Sequence, residues 1–161
     1  MIIFDSSPLI HLTRLGKLDY LFHLYEEIVI SKAVYKEVIE VGMQKGESDA
    51  IILQNYHKKG KIRVIHVHTE DPIIKDVLHQ GEYESILLSK EKDAILIMDD
   101  KKARFIAKQR KIRYNGTLAV LYKLLHKEII NKDHYLQNLQ RYSENSWISY
   151  SLYEKFRKLA D

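Results

Sequence analysis

The sequence predicts an α/β fold in which a central parallel sheet is covered by helices on both faces, a three-layer α/β/α sandwich. Two observations predict it. Short apolar runs at residues 2–4, 28–30 and 94–98 alternate with longer segments of helical periodicity, the order that builds parallel sheets with helical crossovers. Within AILIMDDKKAR, four of the five residues 94–98 are large and apolar, and the run stops at Asp99 and Asp100 before a helix-forming segment. Such a run suits a strand buried on both faces. Ligands of open parallel sheets bind at the carboxyl edge of the strands, so two adjacent carboxylates there are candidate functional groups. Asp100 alone would suffice to cap the next helix, which leaves Asp99 to be explained.

The chain holds 161 residues, no cysteine, two prolines and six glycines, with a formal net charge of +4. That length allows one domain with a core needing no staples. Disulfides and thiolate metal sites are excluded, which accords with a cytoplasmic protein. Before Asp5 interrupts, the start of the chain offers only Ile2, Ile3 and Phe4 as an apolar stretch, too few for the apolar region of a signal peptide, and no apolar run has the length that would cross a membrane. The mild basic excess is compatible with a nucleic-acid partner.

The first strand, 2–4, ends at Asp5. Ser7 is placed to cap a helix with Pro8 at its first position and Leu9, Ile10, Leu12 and Leu15 on its apolar side, up to Gly16. A second helix covers 18–25. After the strand 28–30, Ser31 caps a helix over 32–41, which Gly42 closes. Residues 46–59 read as a helix, and 61–67 alternate as a solvated edge strand. His66 and His68 share a face of that strand, and the other six histidines suggest no ligand set. A short helix over 72–78 and a longer one over 82–91 lead into the strand 94–98. Then come a helix over 101–108, a brief strand at 112–114, and a helix over 117–126 marked by Leu118, Leu121, Leu124 and Leu125. Helices over 132–141 and 151–159 finish the chain, with the C-terminal tyrosines and Trp147 expected to pack.

At 100° per residue Glu37 falls within the stripe Ala33, Val34, Val38 and Val41. A carboxylate on a core-facing side is costly unless paired, protonated or bound to a cation. A buried pair with lysine or arginine is the plain alternative to a ligand role. Side chains on a helix lean toward its start, which here follows a strand, so Glu37 leans toward the sheet edge that carries Asp99. The helix leading back into the strand 94–98 starts at the same edge if the crossover is parallel, which brings Glu82 there. Glu82 and Glu84 both flank the stripe Tyr83, Ile86 and Leu87, and either would also favour the helix dipole. With Asp5 at the end of the first strand, four carboxylates can meet: Asp5, Glu37, Glu82 and Asp99. Like charges so close are unfavourable without a cation. Oxygen ligands suit Mg2+ or Mn2+, and such a site serves metal-assisted phosphodiester hydrolysis.

The segments IIFDSSPLIHL, VISKAVYKEV, GEYESILLSKEKDAILIMDDKKAR, NGTLAVLYKLL and LYEKFRKLAD, taken in order, resemble a prokaryotic branch of the PIN domain. The resemblance spans nearly the whole chain and implies a single domain over 1–161. It further implies a Mg2+- or Mn2+-dependent ribonuclease, including the toxins of toxin–antitoxin pairs, which commonly form homodimers. Carried over by position, the family's acidic set falls on Asp5, Glu37, Glu82 and Asp99, with Ser6 and Thr117 at nearby polar positions. One departure stands out. PIN toxins often place a further acidic residue two or three positions past the one matching Asp99, where this chain has Lys101 and Lys102. Asp100 either takes that place as a metal ligand or only caps the helix.

Seven of the thirteen residues 101–113 are lysine or arginine. Lys101, Lys102, Arg104 and Lys108 are candidates for contacts with an RNA backbone, since such contacts position a strand without reading it; a solvated helix face is the plain alternative. Three functions follow: a metal-dependent ribonuclease acting on single-stranded RNA, with a small antitoxin protein as partner; a non-catalytic PIN-fold module binding RNA or protein; or a phospho-accepting receiver domain. The receiver would carry its acidic pair after the first strand, whereas here the pair follows a late one.

Overall fold

The computed structural model describes residues 1–160; Asp161, at the end of the LYEKFRKLAD segment, lies outside them. Its strands are β1 (Ile2–Phe4), β2 (Ile28–Ser31), β3 (Ile62–Ile65), β4 (Ile95–Ile97) and β5 (Tyr114–Asn115). They form one sheet in the order β3-β2-β1-β4-β5, with every pairing parallel. Alternation sorts their side chains into two cores. Ile2, Phe4, Ile28, Ile30 and Ile97 face one side, and Ile3, Val29, Leu96 and Met98 face the other. Each fully buried Leu, Ile or Phe contributes about 1.5–3 kcal/mol, so both faces need a helical cover.

The first core is covered by α1 (Ser6–Arg14), α2 (Leu18–Leu24), α5 (Ser48–Lys58), α9 (Thr117–His126) and α10 (Lys132–Asn145), the second by α7 (Gln80–Glu91) and α8 (Lys101–Gln109). The expected three-layer α/β/α architecture is thus present. The short α6 (Pro72–Lys75) precedes α7, and α11 (Tyr150–Lys158) packs Leu152, Tyr153 and Phe156 against the first core. None of the helices among the described residues is long and apolar enough to cross a membrane.

Several elements differ from the sequence expectations. α1 begins at Ser6, so Ser7 lies inside it and caps nothing. Ser31 does cap, accepting from Val34 N at 3.2 Å to start α3 (Lys32–Tyr35). The helix then widens into a π turn, Lys36–Val41, and runs on as α4 (Gly42–Gln44). Gly42 does not stop it, because its φ of −58 is helical. The glycine instead admits α5, since a Cβ there would lie 2.8 Å from that of Ala50. The π turn holds more residues per turn than an α-helix. It carries Ile39 into the core and leaves Glu37 exposed, so Glu37 is not core-facing. His66 and His68 are exposed beyond the end of β3, itself an edge strand as expected. The last strand forms at Tyr114–Asn115 with Ile112 buried before it. α10 runs past residue 141 because Tyr135, Leu139 and Tyr142 continue its buried stripe.

Candidate active site

β1 lies between β2 and β4, so the connections leaving β1 and β4 diverge to opposite sides and open a crevice at their carboxyl ends. Asp5 and Asp99 lie at that crevice. The Asp5 N–H donates to Ile97 O at 2.9 Å, which fixes the first carboxylate beside the end of β4.

Asp5 is buried at 4% exposure, with Ser85 Oγ donating to its Oδ1 at 3.4 Å. It forms the floor of a cleft of about 330 Å³ that Ser6, His11, Glu37, His79 and Glu82 also line. Ser6 Oγ donates to Glu37 Oε2 at 2.7 Å. Glu82 Oε2 accepts from His79 N at 3.0 Å, so Glu82 caps the first turn of α7 while it lines the cleft. Gly81 lets that turn approach, for a Cβ there would lie 3.0 Å from Glu37 Oε2 and 3.4 Å from Ser6 Oγ. Burial pushes the Asp5 carboxyl up to about 7, and the charges of Glu82 and Glu37 add to the effect. Among the described residues, no lysine or arginine forms an ion pair with any of these three carboxylates. The buried ion pair considered for Glu37 is therefore not formed.

Asp99 has a different setting. Its Oδ1 accepts from Thr117 N at 2.8 Å and from Arg104 Nη2 at 3.4 Å. Its Oδ2 accepts from Thr117 Oγ1 at 2.6 Å and from the Tyr142 hydroxyl at 3.1 Å. Gly116 makes the room, since a Cβ there would stand 2.8 Å from both Asp99 Oδ1 and Arg104 Nη2. Asp99 lines a neighbouring cavity of about 300 Å³ and is not among the residues lining the Asp5 cleft. Between the two stand His11, which lines the cleft, and Tyr142, which lines the cavity, with ring centroids 5.0 Å apart and edge to face. Burial lowers the His11 pKa, while the charge of Asp99 opposes that shift.

The two remaining acidic residues act locally. Asp100 caps α8, accepting from Ala103 N at 2.8 Å. Glu84 is turned to the start of α3, where its Oε2 accepts from Ala33 N at 2.9 Å. The structure thus gathers Asp5, Glu37 and Glu82 in one cleft, sets Asp99 beside it, and turns Asp100 and Glu84 to helix starts. The site also draws on Tyr142, His11, Gly81 and Gly116, which no motif of the sequence marks. Only the glycines left a trace there, each standing directly before a residue of interest, Glu82 or Thr117.

The basic run divides as well. Lys101, Lys102 and Lys108 are exposed on α8, with the exposed Phe105 on the face shared by Lys101 and Lys108. Arg104 turns inward instead, its Nε donating to Met98 O at 2.8 Å, so it belongs to the Asp99 cage and not to the open surface. Arg110 pairs with Asp71 at 2.7 Å, and Arg113 donates to Asp93 O at 2.8 Å.

A family model described as DUF3368: PIN domain matches residues 1–161. Among solved structures, the fold is similar to that of a PilT N-terminus domain protein, SSO1118, from the hyperthermophilic archaeon Sulfolobus solfataricus P2. The identity is 19% over 77% of this chain and 92% of that chain, with a TM-score of 0.52. A domain of a functionally unknown protein from Methanocaldococcus jannaschii DSM 2661 matches at 22% identity over 71% of this chain and 89% of that chain, with a TM-score of 0.47. No curated protein matches. At 19% identity the first structure bears on the fold, and it agrees with the parallel sheet and its helical layers. The family assignment rests on the model that spans the chain, and by it the chain belongs to the PIN domain family.

Proposed function

We propose that the chain is a ribonuclease that hydrolyses phosphodiester bonds of single-stranded RNA with Mg2+ or Mn2+. One observation carries the reading: Asp5, Glu37 and Glu82 share a cleft at the strand switch point, and among the described residues the one arginine that lines it, Arg14, pairs with Glu47 and Asp49 and with none of the three. All-oxygen donors of like charge have the chemistry of a hard divalent cation's ligands. The missing side chain of Gly81 leaves room for the Glu37 carboxylate, since a Cβ there would lie 3.0 Å from its Oε2. Among the described residues no three His, Asp or Glu side chains already stand at the spacing of one shared ion. Asp5, Glu37 and Glu82, which line the cleft together, are the residues that would hold the cation. The cation, when bound, would supply an activated water and offset charge on the phosphate oxygens.

The chain's own residues divide the remaining work. The Ser6 hydroxyl fixes the orientation of Glu37. Thr117, Tyr142 and Arg104 fix Asp99 at the wall of the adjoining cavity. Lys101, Lys102 and Lys108 offer ammonium groups to the backbone of the strand. The family resemblance extends the proposal to a toxin acting as a homodimer and restrained by a small antitoxin protein.

A second reading has one observation in its favour. Asp99 already accepts four hydrogen bonds, as it would in a PIN-fold module that binds RNA or protein without cutting. Incubation of the chain with mixed single-stranded RNA separates the two. Cleavage is expected in Mn2+, absent in chelator and lost in Asp5→Asn and Asp99→Asn. Cleavage that survives EDTA overturns the metal mechanism, and binding without cleavage in any metal favours the module.

A further inference from the structure

Trp147 is the only tryptophan of the chain, and the solvent reaches all of it, at 105% relative exposure. It sits in the segment joining α10 to α11 and lines the cavity of about 300 Å³ whose wall includes Asp99. That cavity has two characters. Trp147, Ile148, Leu152 and Phe156 give it an apolar side, while Asn115 and Lys101 bring an amide and an ammonium group. Asn115 is exposed, and Lys101 is exposed with no ion pair among the described residues. A flat aromatic surface, an edge-reading amide and a cation around one small space suit the parts of a single nucleotide: a base with two π-faces, hydrogen-bonding edges and an adjoining phosphate. An exposed indole is also a large apolar surface left to water, the kind of side chain found where a partner covers it. Asp99 stands on the cavity's wall, and His11 and Tyr142 stand between the cavity and the cleft of Asp5.

We propose that this cavity is a nucleobase subsite. A base of single-stranded RNA enters beside Asp99 and stacks on Trp147, Asn115 meets the base edge, and Lys101 takes the neighbouring phosphate. The identity of the ligand rests on the ribonuclease reading, but the subsite does not depend on cleavage.

Because Trp147 is the sole tryptophan, its fluorescence reports on the subsite directly. In EDTA, a six-nucleotide oligoadenylate should quench and shift the emission, and an abasic strand of the same length should not. Trp147→Ala should weaken oligoadenylate binding roughly 5- to 150-fold, the share of one stacked base, while Trp147→Phe keeps most of the affinity. Quenching without cleavage in Mn2+ removes the nuclease reading and leaves the subsite standing. Cleavage without quenching overturns the subsite. Equal affinity for the abasic strand overturns it too. So does a blue-shifted emission without RNA that disappears on dilution, which would assign Trp147 to contact with a second copy of this chain.

Discussion

The hydroxyl of Tyr142 donates to Asp99 Oδ2 at 3.1 Å, across 43 residues of sequence. The bond ties α10 to the end of β4, so a helix of the C-terminal third helps to orient an acidic residue of the sheet edge. Burial raises the Tyr142 pKa above the ordinary tyrosine range, and the charge of Asp99 raises it further. Both effects keep the hydroxyl protonated and donating. Hydrogen bonds to a charged group contribute about 1.5–3 kcal/mol, so Tyr142→Phe should lower stability by about that amount at pH 7. In an Asp99→Asn background the same substitution should cost only about 0.5–1.5 kcal/mol, the value for neutral partners. Urea midpoints of the parent, both single variants and the double variant measure the coupling. Equal costs in the two backgrounds would mean that the Tyr142 hydroxyl does not couple to the charge of Asp99.

Much of this architecture can be read from local pattern. The runs at 2–4 and 94–98 are apolar enough to be central strands, and β1 and β4 are indeed the pair at the switch point. Ser31 and Asp100 stand where caps are expected and act as caps. The 117–126 helix begins and ends where its leucine spacing places it. Other features have no local signature. A fixed 100° wheel puts Glu37 on the buried stripe, whereas in the structure Glu37 is exposed and Ile39 is buried, within a π turn whose pitch such a wheel does not represent. Tyr142 has the spacing of a core residue and is one; its hydroxyl gains a partner only through the packing of α10 against the rest of the fold. Trp147, expected to pack, lies in a connecting segment where no periodicity constrains it.

Arg104 and its lysine neighbours should separate cleanly by experiment. Lys101, Lys102 and Lys108 are exposed, and exchanging them for glutamine should leave stability within about 0.5 kcal/mol. If they meet phosphates, each exchange should lower the salt dependence of RNA binding, with log K against log salt losing about 0.7 of slope per contact on a single strand. Arg104 donates to Met98 O and Asp99, so Arg104→Gln leaves partly buried acceptors short of a donor and should cost about 1–3 kcal/mol. Thermal melts and binding at two salt concentrations give both quantities. Unchanged slopes in all three lysine variants would return that face of α8 to ordinary solvation.

The strongest test concerns Asp5 and pH. Its carboxyl is pushed from an ordinary 3.8 up to about 7, first by burial and then by Glu82 and Glu37. The folded state therefore holds the proton more tightly than the unfolded chain. Below pH 4 both states are protonated and the group costs nothing. Between pH 4 and 7 the unfolded chain ionises first, so the parent loses stability as pH rises. Above pH 7 the loss levels off at about 4 kcal/mol, at 1.36 kcal/mol for each tenfold change in proton affinity. Asparagine has nearly the same shape and no proton to lose, so Asp5→Asn should gain on the parent by up to about 4 kcal/mol between pH 4 and pH 8 in chelator. A divalent cation reverses the balance, because it needs the ionised carboxylate. At pH 8, Mn2+ at a hundredfold excess over its dissociation constant should stabilise the parent by about 2.7 kcal/mol and Asp5→Asn by less, and the gain should fade toward pH 5 as protons compete. Melts of both proteins at pH 5 and pH 8, with and without Mn2+, supply the comparison. A variant that melts below the parent by the same margin at both pH values, with Mn2+ shifting neither protein, would make Asp5 a structural residue and leave the cleft without its chemistry.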